Sequence, residues 1–190
     1  MVNTFIAAFT ETCRRLDVSP TPLAMLVSVP SQAAILLNLD VATNNYELSK
    51  FYVISTSRYG VGQKKNSRRT PLGLHRVAEK FGDGLPTGAI FKGRKSVGQI
   101  TKDDPNADIA HRILWLDGLE PGFNHGNEVD SYSRFIYIHG IGDESTLGQP
   151  ASKGCIHMTA DDLLPLYDQL TINSLVWIGQ FPLPQAGGMD

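Results

Sequence analysis

Cysteine is almost missing from this chain: only Cys13 and Cys155 occur. Two thiols cannot build a disulfide framework, and if one is a nucleophile the other is not its structural partner. No Cys-x-x-Cys or His-x-x-x-His spacing is present to set two ligands on one turn or helix face, so neither a metal nor a cofactor is expected. Excess positive charge is missing too, with 17 Lys and Arg against 19 Asp and Glu and a net charge of -2. A general nucleic-acid or membrane-surface binder would draw its affinity from surplus cations, so the expected partners are small or peptide-like. No stretch reaches the ~20 apolar residues of a membrane helix, which predicts no membrane span. Met1 to Glu11 lack the basic start and continuous apolar run of a secretory signal.

What the chain does have is ordinary for a globular protein: 190 residues, 42% hydrophobic and 19% charged, enough for one substantial core. Phe5, Ile6, Phe9 and Leu16 recur at helical spacing, so Asn3 to Leu16 reads as a short amphipathic helix in which Cys13 is inert packing. Ser19-Pro20-Thr21-Pro22 ends it. From Leu23 the texture is β: apolar runs at Leu23 to Val29 and Gln32 to Leu39, then Tyr46 to Thr56 after an Asn44-Asn45 turn. Ser57 to Thr70 is a polar loop carrying Lys64, Lys65, Arg68 and Arg69; these cations are either simply solvated or lie beside a cleft and meet carboxylates. Pro71 and Gly73 mark re-entry into a strand. Val77 to Lys102 reads as glycine-rich loops with a short strand at Ala89 to Phe91, followed by a turn at Asp103 to Asn106, and spacing alone leaves Ile109 to Leu116 open between strand and helix. Glu120 to Asp130 is a loop in which His125 is exposed and uninvolved. Thr159 reads as the N-cap of a helix with Asp162 in its first turn and Leu163, Leu166, Tyr167 and Leu170 on one face, despite Pro165. Ser174 to Ile178 is a closing strand. The resulting division is a helical extension over 1–22, a catalytic domain over 23–180 and a mobile tail over 181–190.

The chemistry concentrates in Ser152-Lys153-Gly154-Cys155-Ile156-His157-Met158 and in His139, sixteen positions before Cys155. A thiol attacks only as the thiolate, so a catalytic cysteine needs a base or cation beside it. Ser133 to Ile138 is an alternating apolar run that reads as a buried strand delivering the His139 imidazole to a sheet edge. Gly154 frees the backbone for a sharp turn, after which the N–H groups of Gly154 and Cys155 could face an oxyanion. Such a donor is worth about 3–4 kcal/mol. Ser152 and His157 are candidates for hydrogen bonding that turn or a substrate carboxylate. Taken alone, a buried cysteine and a histidine are also compatible with plain packing.

His139-Gly140 followed by Ser152-x-Gly154-Cys155-Ile156-x-Met158 resembles the signature of the L,D-transpeptidase family, the YkuD-type catalytic domain. Thr70-Pro71-Leu72-Gly73-Leu74-His75-Arg76-Val77 is similar to that family's Thr-Pro-x-Gly-x-aromatic-x-Val segment, with His75 in the aromatic place. Asp162 to Tyr167 and Ser174 to Gly179 resemble its closing helix and strand, so the likeness runs from about Leu23 to Gly179. One departure is His157, where the family usually has Arg: an unperturbed imidazole is largely neutral at pH 7.

The resemblance implies an α+β, mainly β fold with a curved, mostly antiparallel sheet, a short N-terminal helix and one helix after Cys155. It implies that Cys155 is the nucleophile, His139 its base, and the Gly140 carbonyl the group that orients the imidazole. The implied substrate is a peptidoglycan stem tetrapeptide or muropeptide, cleaved before its terminal D-alanine to leave a thioester on Cys155. An amine acceptor gives a cross-link and water gives an L,D-carboxypeptidase. If the sequence is complete, the expectation is a cytoplasmic enzyme that hydrolyses soluble fragments; if an export leader was removed, a periplasmic or cell-envelope one. The contrasting readings are a non-catalytic peptidoglycan-binding module of the same fold and a papain-like hydrolase, which ordinarily carries its nucleophile before its His.

Overall fold

A computed structural model describes residues 2–101 and 106–183. Among them the chain forms helix α1 (Val2–Arg15), strands β1 (Leu23–Ser28), β2 (Ala33–Asp40), β3 (Asn45–Val53), β4 (Gly73–Phe81), β5 (Ala89–Lys92), β6 (Lys95–Gln99), β7 (Ala110–Gly118), β8 (Tyr137–Gly140) and β9 (Ile156–Met158), helix α2 (Ala160–Gln169) and strand β10 (Leu175–Gly179). The strands make one sheet in the order β3-β2-β1-β10-β4-β7-β5-β6, with β8 also on β7 and β9 on β8. Most pairings are antiparallel; β1 with β10 and β8 with β9 are parallel. The mainly β, mostly antiparallel fold with one helix before the sheet and one after Cys155 is as expected.

The interior strands read as continuous apolar runs because both of their faces are covered. In β1, Ala24 and Leu26 face a cluster under α1 while Met25 and Val27 face the opposite one. On the first side α1 lays Phe5, Phe9 and Cys13, spaced four apart, against the sheet. The Phe5 and Phe9 rings sit 5.1 and 6.3 Å from Trp177. On the other side α2 buries Leu163, Leu166 and Tyr167. Thr159 Oγ1 accepts the Asp162 N–H at 3.2 Å, so α2 starts on the expected cap, and Pro165 is carried inside it.

Four readings change. The stretch after Val77 is not mainly loop: β4 continues to Phe81, and β5 with β6 forms a hairpin whose outer strand is fully exposed, which leaves it no apolar alternation to read. The strand carrying His139 begins at Tyr137, because Phe135 lies in a turn at φ 58°. The final strand β10 does not border the sheet but enters its middle, between β1 and β4. His125 is half-exposed but not isolated: Nδ1 lies 3.4 Å from Asp117 Oδ1 and 3.8 Å from Asp130 Oδ2. Both carboxylates have further partners, Arg76 for Asp117 and the Gly126 and Ser133 N–H groups for Asp130. Of the expected 103–106 turn, Asp103 to Pro105 lie outside the described residues, as does the tail beyond Leu183. The Phe181 ring packs at a tilt against Phe5 and Trp177, and Leu183 is buried.

Candidate active site

Strands β7, β8 and β9 build the site by register. Ile113 is opposite His139 across the antiparallel β7–β8 pair, and His139 is opposite His157 across the parallel β8–β9 pair. Side chains alternate between faces, so Ile138, Ile156 and Met158 enter the main core while Tyr137, His139, Cys155 and His157 share the other face. That face opens on a cavity of about 230 Å3 lined by Arg58, Asp108, His139, Ser152, Cys155 and His157 among others.

His139 is buried, and its Nδ1 lies 2.8 Å from the Gly140 carbonyl oxygen. A carbonyl only accepts, so Nδ1 carries the proton and Nε2 keeps its lone pair. Burial pushes the imidazole down to about 4, with the Gly140 carbonyl acting against it. Gly140 is there for space: a Cβ on it would lie 2.3 Å from the His111 ring. His111 is fixed in turn, accepting the Gly88 N–H at Nδ1 and reaching the Ile141 carbonyl from Nε2.

The Cys155 thiol donates to the Phe135 carbonyl at 3.4 Å. Burial raises it to about 11, while the Tyr137 N–H and the Arg134 charge pull it down. With His139 depressed and Cys155 raised, the pair is neutral thiol and neutral imidazole at pH 7.

Ser152 is committed to the turn. Its hydroxyl donates to the Cys155 carbonyl at 2.6 Å and accepts the Gly154 N–H at 3.1 Å. The Gly154 N–H expected to face an oxyanion is thus engaged with Ser152, because at φ 130° the glycine turns it back into the loop. Thr70 Oγ1 bonds the Gly154 carbonyl at 3.0 Å, tying the Thr70-Pro71 segment to the turn. His75 is wholly buried, with Nδ1 2.9 Å from the Gly73 carbonyl and Nε2 3.0 Å from Ser131 Oγ, and so serves as internal packing.

The His157 ring centroid lies 4.8 Å from that of His139. Burial, then the His139 and Arg58 charges, push its pKa down to about 3, so it is neutral. Its buried Nδ1 has no hydrogen-bond partner among the described residues. Arg58 and Asp108 also line the cavity, and sequence reasoning did not single them out. Their signal was weak: Arg58 follows an unremarkable serine, and its guanidinium is held by the Ala151 carbonyl, at 2.9 and 2.7 Å, only because the folded chain puts the two together.

The family model of the L,D-transpeptidase catalytic domain, YkuD, matches residues 25–178. The chain belongs to this family. Among solved structures, Bd1075 of Bdellovibrio bacteriovorus is similar at a TM-score of 0.56 and 12% identity, over 84% of this chain and 48% of that one. L,D-transpeptidase 3 from Mycobacterium tuberculosis, solved with a faropenem-derived adduct, has a TM-score of 0.50 and 16% identity, over 83% of this chain and 60% of that one. At these identities the likeness is one of fold, and this chain spans only about half to three-fifths of the length of those two proteins. A search of curated proteins gives no match. Among the described residues no helix is long and apolar enough to cross a membrane.

Proposed function

We propose that this chain is a cysteine acyltransferase acting on peptidoglycan stem tetrapeptides through a thioester on Cys155. The observation that supports it most directly is the shared cavity: Cys155 and His139 line one small space, and the imidazole is held by Gly140 so that its basic nitrogen is the one left unbonded to that carbonyl. In this reading Sγ attacks the carbonyl preceding the terminal D-alanine while His139 Nε2 takes the thiol proton. The tetrahedral intermediate collapses when the same nitrogen returns that proton to the leaving amine, freeing D-alanine and leaving the thioester. An incoming amine then gives a cross-linked or exchanged peptide, and water gives the tripeptide. The Cys155 N–H is the oxyanion donor in this scheme.

The test is incubation of the pure protein with a soluble tetrapeptide, with and without an acceptor amine, followed by mass measurement of both peptide and protein. A Cys155 acyl adduct with release of D-alanine supports the reading, and the ratio of tripeptide to exchanged product reports the acceptor. Binding of the tetrapeptide with no release and no adduct would overturn it in favour of a binding module.

A further inference from the structure

A second cavity, also about 230 Å3, lies beside the turn that carries Cys155. Lys65, Arg68, Arg134 and Lys153 line it together with Ser133 and Phe135, and among the described residues no carboxylate does. It adjoins the active site directly: Lys153 lines both cavities, and the Phe135 carbonyl is the acceptor of the Cys155 thiol.

Among the described residues the charges around it are uncompensated. None of these four cations forms an ion pair among the described residues, whereas Arg14, Arg15, Lys50 and Arg76 each have a carboxylate within 3.0 Å. A solvated loop would account for the exposed Lys65 and Arg68 alone. It does not account for Arg134, which is partly buried and donates only to neutral acceptors, the carbonyls of Gly62, Gln63 and Arg69 at 3.2, 2.7 and 2.6 Å and Ser67 Oγ at 3.4 Å. Carbonyls satisfy its hydrogens but not its charge, and a partly desolvated cation without a counter-ion is costly. The same bonds clamp the loop in a shape where Asn66 and Arg68 take left-handed backbone, φ 63° and 58°, and Lys65 and Arg68 stand at the cavity.

We infer that this basic cavity holds a carboxylate of the acyl-donor peptide next to the bond that is cut, so that the enzyme selects donors carrying a free carboxylate there over their carboxamides. This rests on the reading of Cys155 as the nucleophile. The volume suits the group: at ~30 Å3 per water it would otherwise hold about eight waters, room for a carboxylate-bearing side chain. The Arg68 side chain has no hydrogen-bond or ion-pair partner among the described residues, which leaves its planar fork for a two-point bond, and Lys65 and Lys153 add point charges.

The experiment measures kcat and KM of the full chain on two tetrapeptides that differ only as carboxylate and carboxamide. It uses the wild type, Lys65→Gln/Arg68→Gln, and Arg14→Gln/Arg15→Gln, which removes the same net charge from α1. The wild type should prefer the carboxylate by about tenfold in kcat/KM, through KM, at low salt, and lose that preference as salt rises. The loop variant should lose it at all salt concentrations and the α1 variant should keep it. Equal turnover of both peptides by the wild type, or an unchanged preference in the loop variant, overturns this inference alone. Turnover of neither, with Cys155 unacylated, overturns the acyl-donor reading and this inference with it.

Discussion

Cys13 and Cys155 are both free, and burial raises both thiols to about 11. Their surroundings have nothing else in common. Cys13 lies on the buried face of α1 among Phe9, Leu26, Leu37 and other apolar side chains, while Cys155 lines a cavity with an imidazole, a backbone N–H and the field of an arginine. Burial alone therefore makes a thiol inert, and reactivity has to come from polar groups that the fold aims at it. The α1 side of the sheet brings no imidazole or cation to Cys13 among the described residues, and the β8–β9 side brings Cys155 both.

Breaking that contrast at the thiols gives the largest expected effect. Cys155→Ala should abolish release of D-alanine, and His139→Ala should lower it by about 10²–10⁴-fold, whereas Cys13→Ala should keep near wild-type rates. A Cys155→Ala protein with full turnover would end the comparison.

The buried imidazoles sharpen it through pH. His75, inside the sheet, and His139, at the cavity, are both held down to about 4 against an unfolded value near 6.5. Between those values the unfolded chain binds protons that the native chain refuses, so stability is unaffected above about pH 6.5 and falls as pH drops toward 4. Each imidazole can remove up to roughly 3 kcal/mol. Denaturant titrations should show His75→Phe removing part of this slope; an unchanged slope would mean His75 is charged in the native state.

A smaller effect is expected at Gly140, where the Cβ of Gly140→Ala would press on the His111 ring. A stability loss of about 1–3 kcal/mol should accompany a lower turnover, since the displaced carbonyl also orients His139. Wild-type kcat in a folded Gly140→Ala protein would show that this carbonyl does not hold the base. Smallest is Thr159→Ala, which removes the cap of α2 and should cost about 1 kcal/mol with no change in activity, read by thermal unfolding.

The parts of the fold visible beforehand were those written in local spacing. Phe5, Phe9 and Cys13 recur every four residues, and the apolar runs at Leu23 to Val29 and Gln32 to Leu39 have no helical period. The β5–β6 hairpin was missed because Lys95 to Gln99 is exposed throughout and offers no alternation. At the site, Cys155, His139 and Gly140 stood out as residue types in a family-like order. Arg58, Arg134 and the orphaned Nδ1 of His157 did not, since nothing in their sequence neighbours records what faces them.

By itself the sequence determined α1, α2 and the first apolar strands, which side chain caps α2, and which residues can carry nucleophile and base, because those depend on periodicity and on intrinsic chemistry. Only the tertiary structure decided that β10 enters the sheet centre, that the Gly154 N–H turns to Ser152 instead of an oxyanion, and that four cations gather without a carboxylate beside Cys155. Those outcomes depend on contacts between residues tens of positions apart, and such contacts leave no local mark in the chain.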